Sequence, residues 1–250
     1  MRPNLLLLGG TTEATQLAQV LAQASVSAVF SYAGRVASPR AQPLPVRVGG
    51  FGGVAGLSDY IAAQKITHVV DATHPFAAQM STHAVAACHG LNVPLVALTR
   101  KPWVAVPGDD WIHVPDITSA AKALPKKEKN VFLAIGRMHL AAFARLPLHT
   151  YLVRLIEPPV NPPFPRCQIE VAQGPFTVEG DLALMRRHHT ELIVSKNAGG
   201  PAAYAKIEAA RALRLPVVMI DRPAIPERAE VHAVQAVMDW MAHSGTLRGV

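Results

Sequence analysis

Asn4-Leu5-Leu6-Leu7-Leu8-Gly9-Gly10-Thr11-Thr12-Glu13-Ala14 is the stretch on which the fold of this chain turns. Its apolar run has the length of a strand. Paired glycines and two hydroxyls follow, and then an alanine-rich segment over 13–23 with apolar residues at helical spacing. A strand covered on both faces reads as a continuous apolar run, not as an alternation. A glycine turn between such a strand and a helix sets backbone N–H groups and the helix dipole where an anion binds. The turn departs from the GxGxxG pattern: aligned from Gly9, Thr11 stands at the second glycine and Ala14 at the third, where alanine is tolerated. Thr11 adds a β-branched side chain and a hydroxyl donor. The same residues also fit a plain helix start, with Thr11 or Thr12 as the N-cap and no ligand.

Working outward, strands are predicted over 28–32, 46–48, 68–71 and 94–98, alternating with helices over 54–64 and 76–89. The stretch 100–116 is punctuated by Pro102, Pro107, Gly108 and Pro115 and reads as a crossing between domains. A second series follows, with strands over 131–135, 151–156, 168–171, 191–195 and 217–220. Its helices are predicted over 139–144, 178–188, 202–213 and 231–243. The expected fold is α/β: two Rossmann-like, doubly wound parallel-sheet domains with the active site in the interdomain cleft. Residues 1–99 would bind a dinucleotide and 100–250 a substrate.

Composition narrows the function classes. Half of the 250 residues are hydrophobic, too many for a disordered chain. No apolar run approaches the ~18 residues of a membrane-spanning helix, and leucines 5–8 are too few for the ~7-residue core of a signal peptide. A cytoplasmic protein without a membrane partner is expected. Cys88 and Cys167, in no CxxC arrangement, fit a reducing compartment and read as small core residues. None of the eleven histidines has a metal-ligand spacing, so no metal is expected. The net charge of +7 favours an anionic partner. Dispersed charges and few aromatics argue against nucleic acid and for a small polyanion, such as a dinucleotide phosphate or a polycarboxylate.

In doubly wound sheets ligands lie beyond the carboxyl ends of the strands, so the strand ends name the candidates. After the second strand comes Ser31-Tyr32-Ala33-Gly34-Arg35, without the carboxylate that would hold a ribose 2′-hydroxyl. A hydroxyl with a guanidinium suits a 2′-phosphate instead. Gly49-Gly50-Phe51-Gly52-Gly53 allows close backbone approach, and Asp71-Ala72-Thr73-His74-Pro75-Phe76 suggests Pro75 at a helix N1 position with His74 as N-cap. In the second half, Gly136-Arg137, Ser195-Lys196-Asn197-Ala198-Gly199-Gly200 and Asp221-Arg222-Pro223 place cations at three strand ends. The middle segment resembles an anion cradle but lacks the Gly-Lys-Ser/Thr ending of a Walker A loop.

Taken in order, the glycine turn, the Ser31–Arg35 segment, Thr73-His74-Pro75-Phe76-Ala77 and Ser195-Lys196-Asn197-Ala198-Gly199-Gly200 resemble the precorrin-6A reductase family of cobalamin biosynthesis, along almost the whole chain. The resemblance implies NADPH-dependent hydride transfer to a macrocycle double bond of precorrin-6A, giving precorrin-6B. Under it, Gly9, Gly10, Thr11 and Thr12 hold the pyrophosphate, and Ser31, Ala33, Gly34 and Arg35 the 2′-phosphate. Asp71, Thr73 and His74 take the nicotinamide end, and Arg137, Lys196, Asn197, Gly199 and Arg222 meet the carboxylates of an anionic tetrapyrrole substrate, Lys196 and Asn197 alternatively facing the cofactor. It assigns no catalytic group, His74 and Lys196 being only candidates, and it implies transfer of intermediates between pathway enzymes. The competing readings are a cobalt-precorrin-6A reductase using NADH, an NADP-dependent reductase of another small anion, and a non-catalytic NADPH-binding sensor.

Overall fold

The computed structural model describes residues 3–34, 40–158, 161 and 164–246. It divides into two compact units, Met1–Arg100 with Ala224–Val250, and Lys101–Pro223. The first begins with β1 (Asn4–Leu8), α1 (Thr12–Gln23), β2 (Ser27–Tyr32), β3 (Val46–Val48), α2 (Gly53–Ala63), β4 (His68–Asp71), α3 (Ala78–Leu91) and β5 (Leu95–Leu98). Successive β1 side chains point to opposite faces. Leu5 and Leu7 join a core with Leu17 and Leu21 of α1 and Phe30 of β2, while Leu6 and Leu8 pack with Leu57 and Ile61 of α2 and Ala84 and Cys88 of α3. Helices on both faces explain why the leucine run has no polar alternation.

The second unit contains β6 (Trp111–Val114), α4 (Ile117–Lys122), β7 (Asn130–Ala134), a 3₁₀ turn (Arg137–Ala142), β8 (Thr150–Leu155), β9 (Cys167–Val171), α5 (Val178–Arg187), β10 (Leu192–Lys196), α6 (Ala205–Leu213) and β11 (Val217–Ile220). Its strands lie in the order β6-β11-β10-β7-β8-β9, all parallel. Phe132, Leu152, Leu184, Ile193, Ile207 and Met219 anchor the core between this sheet and α5 and α6. β6 and α4 were not expected. β6 is an edge strand of which only Val114 is buried, so it carries no apolar run to mark it within the supposed crossing. The helix expected over 139–144 is the 3₁₀ turn, which begins two residues earlier.

The chain then returns to the first unit, where β12 (Ala229–Val231) pairs with β5 and α7 (Val234–Thr246) places Val237 and Met241 in the Leu5–Leu7 core. The first sheet is thus β12-β5-β4-β1-β2-β3, again wholly parallel. This corrects the expected boundary, which assigned everything from 100 onward to the second domain. The three residues of β12 are at best partly buried, so the return has no sequence signal of its own. Both units are doubly wound and Rossmann-like. In each, the direction of winding reverses once: between β1 and β4 in the first, and between β7 and β10 in the second. Ligands bind at such switch points.

Candidate active site

At the first switch point β1 leads through Gly9 and Gly10 into α1. A Cβ on Gly9 would run into the buried Phe30 ring, so this glycine answers a packing need. Gly10 has φ +127 and open space around it, which is the freedom a close ligand requires. Thr11 caps α1, accepting from the Ala14 N–H at 3.1 Å, and its hydroxyl donates to the Ala72 carbonyl at 2.8 Å. That second bond ties the loop after β1 to the loop after β4 across the switch point. Both hydrogen-bonding roles of Thr11 are therefore internal. The amides of Thr12 and Glu13 lie in the first turn of α1, where among the described residues they have no intrahelical partner, the arrangement by which helix N-termini bind anions. Glu13 is itself paired with Arg100 at 2.8 Å, which offsets the negative charge it brings to that turn.

At the end of β2, Ser31 is buried and its hydroxyl accepts from Nη1 of Arg47 at 3.1 Å. Ala33 and Gly34 are exposed, and Arg35 lies outside the described residues. Arg47 sits on β3 directly beside Ser31, donates to the carbonyls of Gly49 (2.7 Å) and Gly50 (2.9 Å), and stacks over Phe51 at 3.7 Å. At the end of β4, Asp71 is buried with its oxygens saturated. Oδ1 accepts from the N–H and hydroxyl of Thr73 (3.1 and 2.7 Å), and Oδ2 from Ser81 (2.6 Å) and from the guanidinium of Arg228. Asp71 and Thr73 thus hold the loop together. His74 is half-buried, and its Nδ1 accepts from the Phe76 N–H at 3.2 Å. α3 starts later than expected, with Ala77 as its cap, so Pro75 is not at N1 and His74 is not an N-cap.

The second switch point gathers Arg137 and Lys196, with Arg222 on the adjoining strand end. Arg137 is exposed at the head of the 3₁₀ turn after Gly136. Lys196 ends β10 half-buried, and burial pushes its amine down to about 8. Asn197, read as a substrate contact, is buried and turned to the backbone: Oδ1 accepts from the Trp103 N–H (2.7 Å) and Nδ2 donates to the Trp103 carbonyl (2.9 Å). Arg222 donates to the carbonyls of Asn197 and Ala198, at 3.1 Å each, and so braces the loop. Gly199, at φ +70, lets that loop close over Lys101 and Arg222, against which a Cβ would collide.

The comparisons with known proteins agree on one assignment. The family model described as precorrin-6x reductase CbiJ/CobK matches residues 4–242. The chain belongs to the precorrin-6x reductase family. The chain is 55% identical to the precorrin-6A reductase of Rhodobacter capsulatus, over 99% of both sequences. It is 30% identical to the cobalt-precorrin-6A reductase of Priestia megaterium, over 96% of this chain and 97% of the other. A solved structure of a CobK precorrin-6A reductase superposes with a TM-score of 0.93 at 55% identity, covering 97% of each chain.

Three features of this family member escaped the sequence reading. Arg47 and Arg228 are single cations whose partners lie on other elements. The third is a charged group behind the Asn197 loop. Arg154, half-buried with its side chain only 8% exposed, and buried Asp181 form a 2.5 Å ion pair, with Arg154 stacked on Phe176 at 3.7 Å. Lys206 on α6 lies beside them, 4% exposed, donating to the Ala203 carbonyl at 2.6 Å and set over the Trp103 ring at 4.7 Å. Burial chiefly, and then Arg154, push its amine down to about 7 against the opposing pull of Asp181. Periodicity marked α6 as a helix, but Lys206 reads as a surface residue until Trp103 and Asp181 are placed. Of the two cysteines, Cys88 is a core residue whose thiol is pushed up to about 12 by burial and Asp71, whereas Cys167 is only half-buried.

Proposed function

We propose that this protein is a precorrin-6A reductase that transfers hydride from NADPH to a macrocycle double bond, giving precorrin-6B in cobalamin biosynthesis. The observation that carries the cofactor assignment is the β1–β4 switch point, where Gly10 is open and the first turn of α1 presents the Thr12 and Glu13 amides. These residues fit a dinucleotide pyrophosphate. NADPH, when bound, supplies the hydride, and the protein supplies position and electrostatics.

Gly10 gives room for the pyrophosphate, and Thr11 holds the two loops in register by bridging to Ala72. Ser31, Ala33 and Gly34 border the ribose 2′-phosphate, since β2 ends without a carboxylate that would repel it, and Arg35, next in the sequence, is assigned to the same phosphate from the sequence alone. Asp71 and Thr73 keep the loop after β4 in place, so that His74 borders the nicotinamide end. At the second switch point, exposed Arg137 and half-buried Lys196 meet substrate carboxylates, while Asn197, Gly199 and Arg222 shape and brace the loop that carries them. The metal-free macrocycle is favoured as substrate because relatives called precorrin-6A reductase are 40–55% identical to this chain, and those called cobalt-precorrin-6A reductase 27–30%.

The deciding experiment incubates the purified protein anaerobically with precorrin-6A and either NADPH or NADH. Absorbance follows nucleotide oxidation, and mass spectrometry follows the tetrapyrrole. Gain of two hydrogens by the macrocycle with NADPH is expected. Turnover only with the cobalt-containing substrate, or only with NADH, would overturn the assignment at that point.

A further inference from the structure

Arg47 joins the ligand edges of β2 and β3 without appearing in any motif. Its Nη1 bonds Ser31 at the end of β2 and the Gly49 carbonyl after β3, its Nη2 bonds the Gly50 carbonyl, and its plane lies on Phe51. A guanidinium carries five N–H donors. Among the described residues three are engaged, leaving Nε–H and one Nη2–H, and the side chain is only half-buried. The two carbonyls and the aromatic face hold the cation in one orientation before any ligand arrives, so little side-chain freedom is lost on binding. The end of β2, beside which it sits, is where a dinucleotide site reads the ribose 2′ substituent.

We infer that Arg47 is a specificity-determining residue that favours a nucleotide bearing a 2′-phosphate, acting both by its fixed positive charge and by orienting the Ser31 hydroxyl. The inference rests on the cofactor assignment proposed above. Ser31 accepts from Arg47 through its oxygen, which leaves its own O–H as a donor for a ligand at the end of β2. The permanent charge and the Ser31 hydroxyl together give a phosphate dianion a donor set that a ribose hydroxyl cannot use equally.

The test titrates wild type, Arg47→Met and Arg47→Lys with NADPH and NADH by nucleotide fluorescence. Calorimetry with 2′,5′-ADP and 5′-ADP adds a readout independent of turnover. Circular dichroism verifies that each variant is folded. Hydrogen bonds to charged groups carry about 1.5–3 kcal/mol, so Arg47→Met is expected to weaken NADPH and 2′,5′-ADP roughly 10- to 100-fold. NADH and 5′-ADP should change little, and Arg47→Lys should fall between, having charge without the fork. Equal weakening of all four nucleotides would reduce Arg47 to a brace for the Gly49–Gly50 turn and overturn the inference. Retention of the wild-type NADPH preference in Arg47→Met would overturn it too, while leaving the cofactor assignment standing. A wild type that binds neither dinucleotide would remove both.

Discussion

Replacing Lys206 with methionine should stabilise the second unit, and by an amount that depends on pH. The amine is buried beside an Arg154–Asp181 pair, so the group holds two cations against one anion. The folded chain disfavours the protonated form, shifting its pKa from 10.5 to about 7. At about 1.4 kcal/mol per unit, protonation of Lys206 is about 5 kcal/mol less favourable in the folded than in the unfolded chain. The sign follows from linkage. Between about 7 and 10.5 the unfolded chain binds the extra proton, so stability rises with pH through that window and the full cost applies below it. Methionine keeps a flexible apolar stem against Trp103 but leaves the Ala203 carbonyl without its donor, a loss of about 1 kcal/mol.

The net gain of Lys206→Met is then about 4 kcal/mol at pH 6, falling by about 3 kcal/mol at pH 9.5, where the unfolded amine is itself close to losing its proton. Urea unfolding of both proteins at the two pH values measures this directly. The wild-type-minus-variant difference cancels the titration of every group that the substitution does not touch. Destabilisation of Lys206→Met at pH 6 would refute the reasoning, because it would mean that the ammonium is a needed counter-charge for Asp181. A difference identical at pH 6 and 9.5 would refute it as well, since the amine would then not titrate between folded and unfolded states.

Two further substitutions address the first switch point. Gly9→Ala drives a methyl into the Phe30 ring and should destabilise the protein by about 1–3 kcal/mol, with most of the loss recovered in Gly9→Ala/Phe30→Leu; thermal unfolding of the three variants tests this. Arg228→Met leaves the Asp71 carboxylate buried without its cation and should cost about 3–5 kcal/mol, whereas Arg228→Met/Asp71→Asn should be closer to wild type, a comparison that denaturant midpoints resolve.

The strands of both sheets were legible because each interior strand is covered on two faces and must be apolar along its length. Leu5–Leu8 with Phe30, and Val217–Ile220 in the second unit, need no neighbour to be recognised. β6 and β12, each at one edge of its sheet, were missed: β6 buries only Val114 and β12 buries no residue, although the opposite edge strands β3 and β9, which bury none either, were predicted. The candidate residues were found at strand ends for the same reason as the strands, but their roles were only partly legible. Threonine, asparagine and arginine bind anions with the same groups that cap helices and brace loops, and only the partner tells the two apart. That partner is distant in the chain. Thr11 donates to Ala72, 61 residues away; Asn197 is clamped to Trp103, 94 residues away; Asp71 is held by Arg228, 157 residues away. A side-chain donor is open to a ligand only after such internal partners have been subtracted. By that subtraction Asn197 becomes scaffold, and Arg47, which no motif contains, keeps donors to offer.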